Sequence, residues 1–142
     1  MSARSKARKR ALDVLYEADI RTVPAADILA ATATRRSDEG QSALNDYVEE
    51  LVDGVVAHQG YIDELLGSYS MGWSLDRMPP VDRAILRIGA YELLWRDDVP
   101  DAVAISEAVN LAQDLSTDES ASFVNGLLGR LAELKPRLVI EK

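Results

Sequence analysis

The sequence has no cysteine, a single histidine and a single phenylalanine. Without cysteine there are no disulfides, thiolate metal sites or cysteine nucleophiles, which fits a reducing, cytoplasmic setting. One histidine alone cannot build the usual zinc site, and no acidic cluster has the spacing of a calcium loop, so no metal or cofactor is expected. No apolar run approaches the roughly 20 residues that span a bilayer. The run RKRALDVLYEADI is broken by Asp13, Glu17 and Asp19 and is not a secretory signal. The expectation is a soluble protein that does not enter a membrane.

Proline and glycine are also sparse, at 5 and 8 of 142 residues. Between them apolar residues recur at intervals of three and four, the period of a helix and not of a half-buried strand. An all-α fold follows, and the length suits one domain burying roughly two thirds of its unfolded surface. Ala7, Ala11, Val14, Leu15 and Ala18 stripe a first helix over 5–20, and Pro24 opens a second in its first turn, with RRSDEGQS as a loop. Leu44, Tyr47, Val48, Leu51 and Val55 face a third helix, which Gly60 is expected to break before Tyr61, Ile62, Leu65, Leu66 and Tyr69 begin another. The pattern stops at SMGWSLDRMPP, the expected junction between an N-terminal half, about 1–72, and a C-terminal half, about 73–142.

Behind Pro80, VDRAILRIGAYELLWR is apolar on nearly every side and predicts a central helix. Asp101 is placed to cap the next helix, in which Ala104, Ala108, Leu111 and Leu115 face inward. Val124, Leu127, Leu128, Leu131 and Leu134 stripe the last helix, which Pro136 ends. Gly126 and Gly129 within it predict the close approach of another backbone, because glycine in a helix interior costs up to about 1 kcal/mol.

Few residues offer chemistry. His58 continues the Leu51 and Val55 stripe, and no GxSxG elbow or other nucleophile context accompanies it, so a structural or solvated role is expected and the chain does not read as an enzyme. Glu92 falls on the buried side of the central helix, where a carboxylate must be paired. Its expected role is to accept hydrogen bonds within the fold. Phe123, at the edge of the Val124 stripe, is either core or a ring on which a base can stack.

Charge is where the sequence departs most from an ordinary helical domain. The first ten residues, MSARSKARKR, hold Arg4, Lys6, Arg8, Lys9 and Arg10 and no acid, leaving 11 bases against all 24 acids in the rest of the chain. As a helix, Arg4 and Arg8 lie one turn apart and lead into Leu12 and Leu15, while Lys6, Lys9 and Arg10 point to other sides. The apolar end can anchor such a helix while the basic turns offer donors to phosphates. A solvated terminus is the plain alternative. A Debye length of about 8 Å lets this end act almost independently of the acidic body. Five neutralised phosphates of a single strand would give a log–log salt slope near about −3.5.

The run VDRAILRIGAYELLWRDDVPDAVAISEAVNLAQDLSTDESASFVNGLLGRL closely resembles the NusB family, with its V(D/E)(K/R)AxLRIxxYEL, DVPxxVAIxEAxxLA and KFVNGxL signatures, and the basic helix ending in ALxxLY matches as well. The resemblance implies a NusB-like fold of about seven helices in two three-helix subdomains. It also implies a transcription antitermination factor that binds the boxA element of ribosomal RNA leader transcripts with the ribosomal protein NusE, and joins other Nus factors on RNA polymerase. By position, Arg4, Lys6 and Arg8 match the family's arginine-rich RNA motif, and Lys9 and Arg10 are less typical neighbours in it. Glu119, Ser122 and Phe123 match a second RNA-facing stretch, and Tyr16 and Asp82 match residues near the partner groove. Ser122 replaces the usual base before FVNG, removing a cation on that side, and PPVDR stands where well-known members begin the central helix GQVEK. A related domain occurs fused to ribosomal RNA cytosine methyltransferases, for which 142 residues leave no room. Two readings stay open: an RNA-binding adaptor, and a helical protein adaptor that never touches RNA. A basic helix over an acidic body also allows a homodimer.

Overall fold

The computed structural model describes residues 2–140. Among them are six α-helices and two single 3-10 turns, one α-helix fewer than the resemblance implied, and no strand. The helices are α1 (Ala3–Arg21), α2 (Ala25–Asp38), α3 (Asp46–Tyr69), α4 (Pro80–Trp95), α5 (Asp101–Leu115) and α6 (Asp118–Leu134). None is long and apolar enough to cross a membrane. The chain forms two compact units, Met1–Ala57 and His58–Lys142, and the division falls inside α3.

In the first unit, the Ser2 hydroxyl accepts the Ser5 backbone N–H at 3.0 Å and caps α1, and Ala7, Ala11, Leu12, Val14, Leu15 and Ala18 form its buried stripe. Thr22 turns the chain out of α1 in the left-handed region, φ 55°, where its N–H still reaches the Ala18 and Asp19 carbonyls. Pro24 stands immediately before α2, whose fixed start it supplies. This helix packs on α1 and runs to Asp38, further into RRSDEGQS than the sequence suggested.

Gly60 does not break α3, which is one helix of 24 residues. A single exposed glycine costs less than the burial of Leu51, Val52 and Val55 before it and Ile62, Leu65 and Leu66 after it gains. The pattern-free stretch after Tyr69 becomes a bend and a 3-10 turn, Leu75–Arg77, before α4.

The second unit is built around α4, which has Pro80 at its start and is buried from Ala84 to Leu94. It packs against both α5 and α6, which also pack on each other. The glycine that permits close approach is Gly89, not Gly126 or Gly129. A Cβ on Gly89 would stand 2.7 Å from Leu128 Cδ1 and 3.3 Å from Ala108 Cβ, whereas one on either α6 glycine would meet nothing within 4 Å. The central helix, in contact with two others, needs the small residue; α6 presents its glycines away from neighbours.

Asp101 is the first residue of α5 and makes no cap; its carboxylate instead receives Lys135 Nζ at 3.0 Å. Leu115 is 40% exposed, and Ala112 takes the inward place at that end. Arg87 of α4 holds Asp63 through two hydrogen bonds, 2.8 and 3.0 Å, fixing the C-terminal part of α3 to α4.

Candidate nucleic-acid interface

All five N-terminal bases lie on α1, and the helix sorts them by direction. Arg8 continues the Leu12 and Leu15 stripe and is only 3% exposed. Its guanidinium carbon lies 5.8 Å from the centre of the Tyr47 ring, and that of Arg4 lies 4.3 Å from it, so both cations rest on one aromatic ring supplied by the first turn of α3. Tyr47 was not among the sequence-derived site residues; its burial gave no periodic sign of a role in holding arginines.

Lys6 and Arg10 are exposed one turn apart. Lys9 reaches down the helix to Asp13, with its Nζ 2.7 and 2.9 Å from the two carboxylate oxygens. Arg10 also lines a cleft of ≈ 390 Å³ between α1 and α2 together with Arg35 and Arg36. Arg36 donates to the Ser42 carbonyl at 2.9 Å and ties down the loop after α2, while Arg10 and Arg35 have no ion pair among the described residues. The basic segment therefore offers Lys6 and Arg10 outward, Arg4 half-covered, Lys9 engaged and Arg8 buried.

A second group gathers at the start of α6. Thr117 caps this helix, its hydroxyl accepting the Ser120 N–H at 3.0 Å, and Glu119 and Ser122 are exposed in the first turns. Phe123 is half-buried, its ring centre 4.9 Å from that of Trp73 at a tilt of 49°. Trp73 was missed in the sequence because it lies in the patternless connection after α3, outside any helical stripe. Ser122 also faces an open groove of ≈ 720 Å³ between α5 and α6, whose apolar floor includes Ile105 and Val109.

Of the two residues matched to a partner groove, Tyr16 is 38% exposed on α1, with Ile20 exposed one turn further on. Asp82 is completely buried in the first turn of α4, where Ser120 Oγ donates to its Oδ2 at 2.6 Å. Glu92 is buried as the sequence indicated. His58 stacks on Trp95 with ring centres 4.2 Å apart, and Tyr91 lies parallel behind at 6.1 Å from Trp95. Burial, then the negative charges of Glu92 and Asp98, push the Tyr91 hydroxyl above its ordinary pKa. Among the described residues no group of three or more histidine, cysteine or carboxylate side chains could hold a metal ion.

Among the described residues the molecule is all-helical, with cationic side chains on α1 and an aromatic pair beside the start of α6. The model of the NusB family matches residues 5–133. The transcription antitermination protein NusB of Arthrobacter sp. (strain FB24) is 60% identical over 139 residues, which are 98% of this chain and 99% of that protein. Among solved structures, T. maritima NusB superposes with a TM-score of 0.81 at 30% identity, covering 97% of this chain and 99% of that one. A chain in a crystal structure of the antitermination factors NusB and NusE with double-stranded RNA gives 0.80 at 26% identity, covering 94% and 98%. The chain belongs to the NusB family, as its motifs implied. It is by that membership a transcription antitermination factor and not an enzyme.

Proposed function

We propose that this chain binds single-stranded boxA RNA of ribosomal RNA leader transcripts together with NusE, and helps assemble other Nus factors on RNA polymerase in the cytoplasm. Lys6 and Arg10 contact phosphates, Arg4 adds a third contact from its seat on Tyr47, and Lys9 joins when it leaves Asp13. Arg8 holds the helix in place from within. Glu119, Ser122 and Phe123 contribute the second contact region, with Trp73 backing the Phe123 ring. Tyr16 serves the protein partner from its exposed place on α1, while Asp82, fully buried, makes no direct contact with a partner.

The observation that carries this reading is the pair of exposed cations, Lys6 and Arg10, on a helix whose remaining length is anchored by a buried stripe. Its support from relatives is the solved complex of NusB and NusE with double-stranded RNA, which supports association with RNA and NusE and not the single-stranded form. Titrating labelled boxA RNA against the wild-type chain and a Lys6, Arg10 to Ala variant, with the buried Arg8 left in place, tests it: loss of affinity is expected, and equal affinities or no dependence on salt would sink it.

One observation favours the rival, a protein adaptor that leaves RNA alone: two of the five bases are already engaged with Tyr47. In that case partner capture survives both ribonuclease and deletion of residues 1 to 10.

A further inference from the structure

Asp82 and Ser120 stand 38 residues apart in sequence and meet in the core of the second unit. The 2.6 Å contact is the length of a charge-assisted O–H···O⁻ bond. Ser120 Oγ in turn accepts from the hydroxyls of Ser116 and Thr117, at 3.0 Å each, while Thr117 also caps α6 through the Ser120 N–H. One carboxylate on α4 thereby gathers the three hydroxyls that define where α6 begins. The other oxygen of Asp82, Oδ1, is buried with no hydrogen-bond partner among the described residues. Ser120 is therefore the chief protein donor holding this charge, assisted by the positive end of α4, in whose first turn Asp82 lies.

A buried carboxylate with one oxygen unmatched is an expensive way to fasten two helices. Its placement gives it a use. Ser120 lies between Glu119 and Ser122, and one turn from the start of α6 comes Phe123. We infer that Asp82 is a positioning residue for RNA binding: through Ser120 it sets the pitch and phase of the first turn of α6, and so aims Glu119, Ser122 and Phe123. This rests on the RNA-binding reading above. Because its carboxylate is closed to solvent, Asp82 influences a protein partner only through the position of α4 and α6.

The test uses the full chain and an Asp82→Ala/Ser120→Ala double variant. Removing both partners avoids the orphaned carboxylate that Ser120→Ala alone would leave and the unpaired hydroxyl donor that Asp82→Ala alone would leave, and the Thr117 cap survives because it uses the Ser120 backbone. A melting curve close to wild type verifies the fold. The expected result is boxA RNA affinity weaker by about fivefold with an unchanged salt slope, since no phosphate contact is lost. NusE affinity is expected to stay within about twofold. Phe123→Ala is expected to cost less in the double variant than in wild type, because its ring is no longer held on target. Asp82→Asn, which keeps an acceptor for Ser120, should recover most of the affinity.

Three results overturn the inference: RNA affinity unchanged in a folded double variant, equal losses toward RNA and NusE, or a Phe123→Ala effect that is the same in both backgrounds. If wild-type chain fails to bind boxA RNA at all, the functional reading falls and this one with it. Wild-type binding with an indifferent double variant removes only the clamp.

Discussion

The Arg4 guanidinium carbon sits 4.3 Å from the centre of the Tyr47 ring, joining the first turn of α1 to the first turn of α3 within one compact unit. Tyr47 is only 5% exposed, so the ring is a core residue as well as a seat for cations. Tyr47→Ala should cost about 3–5 kcal/mol, as for other buried aromatic deletions, measured by urea unfolding. Tyr47→Phe keeps the ring face, and its RNA affinity should stay within about twofold of wild type. A large loss of affinity in the folded Phe variant would show that the hydroxyl, not the ring, is what matters.

The sorting of the five bases sets the salt dependence. With Arg8 buried, the proposed contacts are Arg4, Lys6 and Arg10, joined by Lys9 when it leaves Asp13, so the log–log slope for single-stranded RNA should lie between about −2 and about −2.8 in place of the about −3.5 that five free cations would give. Lys6→Ala and Arg10→Ala should each make it shallower by about 0.7 and weaken binding by roughly 1 kcal/mol. Titrations across a range of potassium chloride concentrations measure both, and a wild-type slope at the steeper value would mean that Arg8 and Lys9 leave their present partners.

Two glycines should respond to alanine in opposite directions. At Gly60, exposed in the middle of α3 with nothing within 4 Å of an added Cβ, Ala should stabilise by about 0.5–1 kcal/mol. At Gly89 the new methyl meets Leu128 and Ala108 in a filled core, and overpacking of about 1–3 kcal/mol should exceed the gain in helix propensity. Paired thermal melts decide the signs.

Tyr91 gives a signature at alkaline pH. Its hydroxyl pKa lies above 10.0 in the fold, so between the unfolded and folded values the native state keeps a proton that the unfolded chain releases. Stability from this group is complete below about pH 10 and falls as pH rises through the folded value. Absorbance titration of tyrosinate should show a late component that Tyr91→Phe diminishes; a titration unchanged in that variant would assign it elsewhere.

Much of this architecture was legible because helices write their burial at intervals of three and four. The all-apolar circumference of VDRAILRIGAYELLWR marked the central helix, and α4 is buried along most of its length. Periodicity carries no information about which small residue faces a neighbouring backbone, so Gly126 and Gly129 were expected to do what Gly89 does. Nor can it foresee contacts between distant elements: Arg8 looked like one more available base until Tyr47 came to lie beside it, and Asp82, matched to a partner groove by resemblance, is closed over by Ser120. Trp73 had no period to belong to, and only folding set it against Phe123.

The Lys9–Asp13 pair has a bearing on discrimination among nucleic acids. Any polyanion that recruits Lys9 must first displace a carboxylate already in place, so the helix is less adhesive toward phosphate in general than its sequence of bases suggests. A strand that also fits the aromatic and polar side chains elsewhere can bear that displacement; one attracted by charge alone gains little from it. Toward any such strand Asp13 is a resident competitor for Lys9, and in so exposed a pair its hold is a light one.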